Sequence, residues 1–280
     1  MTPTGHVMPV CGTPCWVNLM TRNLQATQDF YSAVLGWEFR PGSLGTGFSV
    51  ASAHGQPVAG LGEVAAGRPV AGSWTPYFAV ADVDVTAARV RERGGTVAVG
   101  PVRFVLGRGA VAADRDGAVF GFWEGRALRW TDEYGNPPAF LELRTRDAFD
   151  AAIFYAQIFD WASGDPGGCE VAYAYENDTV TVRQVKNTVA TVRGGGVGES
   201  PDPRVRPRWH VHFRVDDVEA AIAAAREAGG TATPPAPSPG GGTESVISDP
   251  GGGLFTVSTG SVPAGPVPVT RKGPVGHRGR

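Results

Sequence analysis

The chain has 280 residues, of which 42% are hydrophobic and 19% are charged, so it carries enough apolar side chains for a packed core and about two domains. Its 40 glycines and 23 prolines favour short strands and turns and exclude a helical bundle or a coiled coil. The net charge of −2 gives no basic field for nucleic acid, and no apolar run approaches the about 20 residues that cross a bilayer. Three cysteines make no disulfide framework, and the first residues lack the pattern of an export signal. We therefore expect a cytoplasmic protein without nucleic-acid or membrane partners.

An internal repeat organises the sequence. The segment Asp29–Trp37 returns as Ile153–Trp161, with its Phe-Tyr pair and its tryptophan shifted by 124 positions. Further along, Phe78–Asp84 returns as Phe213–Glu219 with a shift of 135 positions. The chain is therefore a duplication of one structural unit.

The duplication sets the expected domain boundaries. They are a first domain at 12–124, a linker at 125–137 and a second domain at 138–259. The start at 1–11 and the Pro- and Gly-rich end at 260–280 are expected to be disordered. The extra positions of the second half fall around Gly194–Pro207, which we interpret as an enlarged loop and a candidate lid.

In the first half, Trp16–Met20 predicts a strand, and Asn23 predicts the N-cap of a helix that ends at Gly36. Tyr77–Val80 predicts the next strand. A second helix follows, opened by Asp82 or Asp84 and ending near Gly94.

The second half repeats this order. Ala139–Leu143 predicts a strand, and apolar residues at helical spacing from Ala148 to Ile158 predict a helix. A last helix carries apolar residues from Val218 to Ala225 and ends at Gly229. Alternating stretches such as Thr179–Val185 predict the strands between the helices. The coarse order is a strand, a helix and three strands, four times over.

These residues resemble the vicinal oxygen chelate superfamily, which includes glyoxalase I, bleomycin-resistance proteins and extradiol dioxygenases. The likeness rests on the helix ending in Phe-Tyr-x-x-x-x-Gly-Trp and on the Phe-x-Val-x-Asp-Val step into the next helix. More narrowly, the chain resembles two-half, glyoxalase-like proteins frequent in actinobacteria, often labelled hydroxylases. The resemblance implies an α+β fold of four βαβββ modules in two tandem halves, each a cup-shaped half-barrel of mixed sheet.

The resemblance also implies His, Gln or Glu at three cup positions in members that use a metal. At these positions the chain has Trp16, Thr75 and Gly121 in the first half, and Phe140, His210 and Thr256 in the second. Because only His210 among them ligates a divalent ion, we predict no cofactor and no metal at the usual family site, and a divalent metal is disfavoured. The alternative is an unusual metal site made of Glu142, His210 and His212.

The second half carries the candidate catalytic residues, His210 and Glu142. His210 and His212 alternate along one strand and share a face, and Glu142 shares a face with Phe140. We expect these four residues to converge in the second cup as ligand-binding residues, with His210 and Glu142 as an acid/base pair. If Glu142 hydrogen-bonds His210, its charge raises the imidazole pKa and makes binding depend on pH between about 6 and 8. The alternative is a solvated or hydrogen-bonded histidine pair on an open sheet.

The first cup offers a second set of ligand-binding candidates, Trp16, Asn18, Thr75 and Tyr77, which strand alternation turns inward. An aromatic and polar lining suits a flat organic ligand. The alternative is that Trp16 only fills the space in this cup.

Three functions fit these observations. The first is metal-free binding of a small, aromatic organic ligand, and the second is a metal-independent lyase, isomerase or cyclase of secondary metabolism that uses His210 and Glu142. The third is a metal-dependent dioxygenase or glyoxalase with unusual ligands. Whether the protein is an enzyme stays open at this stage, and the sequence does not name the ligand. We expect a monomer with pseudo-two-fold halves, or a weak homodimer, whose partner is a small molecule.

Overall fold

A computed structural model of the protein describes residues 12–64, 72–127, 137–164, 168–184, 187–195, 197, 206–238 and 241–260. The expected disorder of 1–11 and 261–280, the linker positions 128–136, and most of the candidate lid Gly194–Pro207 lie outside the described residues. None of the helices in this described part is long and apolar enough to cross a membrane.

The first half forms one sheet of eight strands with two helices. Its elements are β1 (Pro14–Thr21), α1 (Leu24–Leu35), β2 (Glu38–Pro41), β3 (Phe48–Ala53), β4 (Gln56–Glu63), β5 (Trp74–Ala79), α2 (Val83–Glu92), β6 (Thr96–Phe104), β7 (Gly107–Ala113) and β8 (Val119–Gly125). The strand order is β2-β3-β4-β1-β5-β8-β7-β6. Strand β1 runs parallel to β4 and antiparallel to β5, so the two modules of this half join at the centre of the sheet.

The second half builds the same sheet from its own two modules. Its elements are β9 (Phe140–Arg144), α3 (Ala148–Phe159), β10 (Cys169–Ala174), β11 (Thr179–Gln184), β12 (Asn187–Arg193), β13 (Arg208–Arg214), α4 (Val218–Glu227), β14 (Thr231–Ala232), β15 (Ala236–Pro237), β16 (Thr243–Ser248) and β17 (Leu254–Ser258). The strand order is β10-β11-β12-β9-β13-β17-β16-β14, with β15 also paired to β16. This topology confirms the α+β fold of four βαβββ modules in two tandem cup-shaped halves.

The helix ends follow the capping residues in the sequence. The Asn23 side chain accepts a hydrogen bond from the Ala26 amide at 3.0 Å, and Gly36 ends α1 in the left-handed region at φ 65°. Of the two candidates for the second helix, Asp82 is the N-cap, and Asp84 instead pairs with Arg108. Local sequence alone therefore sets these boundaries.

The core lies between the helix-covered faces of the two sheets. Helix α1 packs against α4 and helix α2 against α3, so each helix of one half meets a helix of the other. Aromatic rings of both halves interleave here; the Trp37 ring, for example, meets Phe213 with centroids 4.8 Å apart. Trp37 and Trp161 are 6% and 4% exposed, so both tryptophans belong to this core. The two halves share one hydrophobic core.

Two buried hydrogen bonds join the halves at related positions. The Tyr31 hydroxyl donates to Asp249 at 3.0 Å and accepts from the Trp74 indole at 3.0 Å. The Tyr155 hydroxyl donates to Asp114 at 2.9 Å and accepts from the Trp209 indole at 2.9 Å.

Each carboxylate of these two bonds is held by its own turn. The other oxygen of Asp249 accepts from the amides of Gly251 and Gly253, both at 2.8 Å. In the first half, Asp114 accepts from two backbone amides in the same way. Burial raises the pKa of both carboxyl groups, although these hydrogen bonds oppose the shift. Each half therefore presents an oriented acceptor to the tyrosine of the other half.

We expect Tyr155→Phe to lower the free energy of unfolding by about 1–3 kcal/mol, because it leaves Asp114 and the Trp209 indole without a buried partner. Urea denaturation measures this difference. Tyr175 is 83% exposed, so Tyr175→Phe is the matched control, with an expected change within about 0.5 kcal/mol. Equal effects of the two substitutions contradict the role assigned to the Tyr155 hydroxyl.

Candidate functional site

The candidate site lies at the centre of the second sheet, where β9 and β13 run antiparallel. Glu142 is directly opposite His210, and Phe140 is directly opposite His212. The residues between them on both strands belong to the core. Because side chains alternate along a strand, these four point to the sheet face that lies away from the helices. We call this face, defined by Phe140, Glu142, His210 and His212, the second cup.

His210 is buried, at 1% exposure, and its Nε2 atom lies 2.7 Å from the Thr256 hydroxyl. Its Nδ1 atom is buried and has no hydrogen-bond partner in the described structure. Burial lowers the pKa of His210 well below its ordinary value, and the positive charges of Arg144 and Arg208 lower it further. The imidazole is therefore neutral at neutral pH.

Glu142 is 5% exposed and has different partners. Its carboxylate accepts a hydrogen bond from Nε of Arg144 at 2.8 Å, and its second oxygen lies 3.5 Å from Nε2 of His212. Burial raises the pKa of Glu142, but the contacts of its carboxylate with His212 and Arg144 outweigh burial and hold the pKa well below its ordinary value. Glu142 is therefore an ionised carboxylate.

These contacts correct two sequence expectations. The expected hydrogen bond from Glu142 to His210 is wrong, because Arg144 and His212 take the carboxylate and Thr256 takes the imidazole. The expected rise in the His210 pKa is wrong as well, because burial and the neighbouring cations outweigh the charge of Glu142. A pH dependence between about 6 and 8 therefore cannot come from His210.

A polar row crosses four neighbouring strands of the second cup. Thr181 on β11 is opposite Thr191 on β12, Thr191 is beside Glu142, and Glu142 is opposite His210. These four side chains are at most 5% exposed. We name this set, Thr181, Thr191, Glu142 and His210, the polar row.

Sequence analysis did not identify the two threonines of the polar row. The alternation of Thr179–Gln184 places Thr181 on the cup face, but the register that brings it into line with Glu142 includes a bulge between Val182 and Arg183. The Thr181 hydroxyl is buried without a hydrogen-bond partner in the described structure, like Nδ1 of His210. Such a group costs about 1–3 kcal/mol when it stays unpaired, so the row contains two unused hydrogen-bonding positions.

The first cup is filled by its own side chains. Trp16 and Asn18 lie over Gly60 so closely that a side-chain carbon there would overlap with them. The Tyr77 ring covers Gly121 in the same manner, and burial raises the pKa of Tyr77 to about 12. These contacts support the interpretation of Trp16 as a space-filling residue.

The first-cup row that corresponds to the polar row is less polar. It runs Val50, Gly60, Asn18, Thr75 across β3, β4, β1 and β5. Asn18 is the one buried polar residue in it, with Nδ2 3.1 Å from the sulfur of Met20 and Oδ1 without a partner among the described residues. Thr75 is half-buried, directly opposite Asn18. The carboxylate and histidine candidates are therefore in the second cup.

Comparisons with known protein families agree with both halves. Residues 10–122 match the model of the Glyoxalase/Bleomycin resistance protein/Dioxygenase superfamily, and residues 140–258 match the Glyoxalase-like domain. Among curated proteins, the chain is 34% identical over 258 residues to "Putative glyoxylase CFP32" of Mycobacterium tuberculosis, covering 88% of this chain and 94% of that protein. It is 32% identical over 270 residues to the anthracycline biosynthesis protein DnrV of Streptomyces peucetius, and this match covers 88% of this chain and 92% of that protein.

Solved structures share the fold at low sequence identity. The Mn(II)-bound glyoxalase from Novosphingobium aromaticivorans superposes with a TM-score of 0.56 at 19% identity, covering 90% of this chain and 84% of that one. The 2,3-dioxygenase LapB from Pseudomonas sp. KL28 superposes with a TM-score of 0.58 at 12% identity, covering 91% of this chain and 94% of that one.

The candidate side chains of the second cup do not fit a metal ion such as the one that the glyoxalase neighbour holds. Across the described ranges, no three His, Cys, Asp or Glu side chains lie close enough together to hold a metal ion. In the alternative set, Nε2 of His210 is engaged by Thr256 and Glu142 is engaged by Arg144. Glu142, His210 and His212 are neighbours on one cup face, but they do not form a group that could hold a metal ion.

We expect Thr181→Val to raise the free energy of unfolding of the ligand-free protein by about 1 kcal/mol, because it removes a buried hydroxyl without a partner and keeps the side-chain shape. Val50 already stands at the related position of the first cup. Thr256→Val is the control, with an expected loss of about 1–3 kcal/mol, since it removes the partner of His210. Urea denaturation measures both variants, and a destabilised Thr181→Val contradicts the assignment.

Proposed function

This chain belongs to the glyoxalase/bleomycin resistance protein/dioxygenase superfamily, and we propose that it binds a small organic molecule in its second cup without a metal ion. The observation that carries this proposal is the polar row, with its two buried polar atoms that have no partner in the described structure. Buried polar atoms in folded proteins almost always have a hydrogen-bond partner. Two buried polar atoms without a partner on one cup face are therefore what we expect of a site that a ligand completes.

The charge states of the row favour recognition over proton transfer. A general base works best with a pKa near the working pH, and the pKa of His210 lies well below that of an ordinary histidine. Glu142 stays ionised and is held by Arg144 and His212. In this arrangement, Nδ1 of His210 and the hydroxyl of Thr181 act as hydrogen-bonding groups that orient the ligand.

The names of the relatives indicate a class of ligand. DnrV and a further relative, DauV of Streptomyces sp. (strain C5), are named as anthracycline biosynthesis proteins. Anthracyclines, as a class of compounds, contain fused aromatic rings. A flat ring system also suits the Phe140 ring, whose centroid lies 5.5 Å from that of His212 at the edge of the second cup. We therefore propose an aromatic ligand.

A metal-independent lyase, isomerase or cyclase is the second candidate. It is favoured by the placement of a neutral imidazole directly opposite an ionised carboxylate on neighbouring strands. In that case His210 and Glu142 are catalytic residues, and a ligand that raises the His210 pKa on binding turns the imidazole into a base. Loss of turnover with retained ligand affinity in His210→Ala distinguishes the enzyme from the binding protein.

The direct test is native mass spectrometry of untagged protein for a co-purified small molecule. We expect His210→Ala to weaken binding of that molecule by more than about 1 kcal/mol, about fivefold, beyond the weakening caused by Thr256→Val, which loses the same buried contact and is the stability-matched control. Affinity should stay constant between about pH 6 and 8, because His210 is neutral throughout this range, and should change only at lower pH, where the imidazole gains a proton. Trp16→Phe and Thr75→Ala in the first cup are the matched controls.

Two results contradict this proposal. If Trp16→Phe abolishes binding of the ligand and His210→Ala does not change it, the ligand-binding cup is the first one. If the untagged protein holds near-stoichiometric Zn, Fe, Ni or Mn that is lost in Glu142→Ala or His212→Ala, the function is a metal-dependent oxygenase or glyoxalase.

We also propose that the protein is a monomer in the cytoplasm. Tyr31 and Tyr155 already pair each half with the other, so the chain supplies both copies of the module pair. The described cysteines, Cys15 and Cys169, are buried free thiols, as a reducing compartment allows. Light scattering measures the assembly state, and a stable tetramer contradicts this part of the proposal. Fractionation of the producing cells tests the location.

A further inference from the structure

The His210 imidazole has one hydrogen-bond partner, and that partner decides which ring nitrogen carries the hydrogen. A neutral imidazole has one N–H donor and one bare nitrogen that accepts. Nε2 of His210 lies 2.7 Å from the Thr256 hydroxyl, and Nδ1 has no partner among the described residues. Either Thr256 donates to a bare Nε2, with the hydrogen on Nδ1, or Nε2–H donates to Thr256, with Nδ1 bare.

The number of unpaired groups favours the first arrangement. Thr256 is 1% exposed, and His210 is the only hydrogen-bond partner of its hydroxyl in the described part of the chain. If Nε2–H donated, both the hydroxyl hydrogen of Thr256 and the bare Nδ1 of His210 would be buried without a partner. If the hydroxyl donates, the Nδ1–H group is the only donor of the pair without an acceptor. Because every unpaired buried group costs free energy, the hydrogen belongs on Nδ1.

The length of the contact agrees with this assignment. Hydrogen bonds from an N–H donor to oxygen cluster near about 2.9–3.0 Å, whereas those from an O–H donor cluster near about 2.7–2.8 Å. The distance of 2.7 Å between the Thr256 hydroxyl and Nε2 of His210 is therefore ordinary for a donating hydroxyl and short for a donating imidazole.

The position of Thr256 in the sheet is fixed on both sides. Strand β17 runs parallel to β13, where Thr256 is beside His212, and antiparallel to β16, where Thr256 is opposite Val246. The branched side chain of threonine has few rotamers, so the hydroxyl keeps its place next to His210. Thr256 thus acts on the cup through the imidazole.

We infer that Thr256 is a positioning residue that holds His210 as the Nδ1–H tautomer, so that the second cup selects a ligand with a carbonyl oxygen at this point. A carbonyl oxygen accepts the Nδ1–H hydrogen bond and brings no hydrogen of its own that would need an acceptor. With the flat rings of the proposed function, the ligand class is aromatic ketones and quinones. This inference rests on the proposed function, because it names the ligand class of the same cup.

The other unpaired group of the polar row does not make this choice. The Thr181 hydroxyl can both donate and accept, so it fits a carbonyl or a hydroxyl group equally. Thr181 and His210 lie on strands that are three steps apart in the sheet, about 14 Å at about 4.8 Å per step. Selection of a carbonyl group by His210 can therefore be measured with a small probe.

Nitrogen-15 NMR of the histidine side chains in the ligand-free protein reads the tautomer, at a pH where the imidazoles are neutral. Ring nitrogens with and without a hydrogen have different chemical shifts, and His210→Ala identifies the signals of His210. We expect the hydrogen on Nδ1 in the wild-type protein and in Thr256→Ser, and a mixture of both tautomers in Thr256→Val. Thr86 is also buried, and its hydroxyl donates to the Asp82 carbonyl at 2.8 Å, so Thr86→Val is the matched control with no expected change.

Equilibrium dialysis with two matched probes, 9-fluorenone and fluorene, tests the ligand class. Both probes are flat molecules of three fused rings, and only fluorenone has a carbonyl group. We expect fluorenone to bind the wild-type protein at least about fivefold more tightly than fluorene, which is the effect of one neutral hydrogen bond. The preference should persist in Thr256→Ser and Thr86→Val, fall in Thr256→Val and disappear in His210→Ala.

The outcomes separate this inference from the proposed function. A hydrogen on Nε2 of His210 in the wild-type protein overturns the inference, and a tautomer that Thr256→Val leaves unchanged overturns the role of Thr256. Equal binding of the two probes, or no binding of fluorenone, overturns the ligand class, whereas a co-purified molecule that His210→Ala loses still supports the second cup as the site. Fluorenone binding that His210→Ala does not alter overturns the proposed function itself.

Discussion

The architecture depends on one interaction made twice, the buried hydrogen bond from a tyrosine of one half to an aspartate of the other. Tyr31 reaches Asp249 and Tyr155 reaches Asp114, and in both cases two backbone amides orient the carboxylate. The two bonds fix the helix-covered faces of both sheets against each other and bury an aromatic core between them. Since each sheet has one covered face, the other faces of both sheets are turned away from this interface. The position of both cups is therefore a consequence of the way in which the halves join.

An interface that is built from one face of each sheet leaves the other face free to differ. The related positions of the two cups show this freedom: Asn18 corresponds to Glu142, and Thr75 corresponds to His210. In the first cup, aromatic side chains lie over glycines and fill the space. In the second cup, the same positions carry a buried polar row with groups that have no partner in the described structure. The duplication thus keeps one fold and gives the two cups different chemistry.

Most of the fold could be predicted from the sequence, because it depends on local and repeated features. The shifted Phe-Tyr pair and tryptophan reveal the duplication, and Asn23 and Gly36 mark the ends of α1. The site was predictable only in part. Strand alternation brings Glu142 and His210 to one face, but their hydrogen-bond partners depend on neighbouring strands and on side-chain conformation, so the expected bond between them was wrong. The polar row requires the register of β11, β12 and β9, which includes a bulge that no local pattern reveals.

The pKa values of Glu142 and His210 respond in opposite ways to the same surroundings. Burial disfavours charge on both groups and is the main cause of the low His210 pKa, whereas His212 and Arg144 favour the ionised carboxylate and disfavour the protonated imidazole. An anionic group of a ligand that approaches Arg144 reduces this repulsion, so binding of an anion there and protonation of His210 favour each other. The charges of the second cup therefore link what the site binds to the state of the one imidazole that is buried within it.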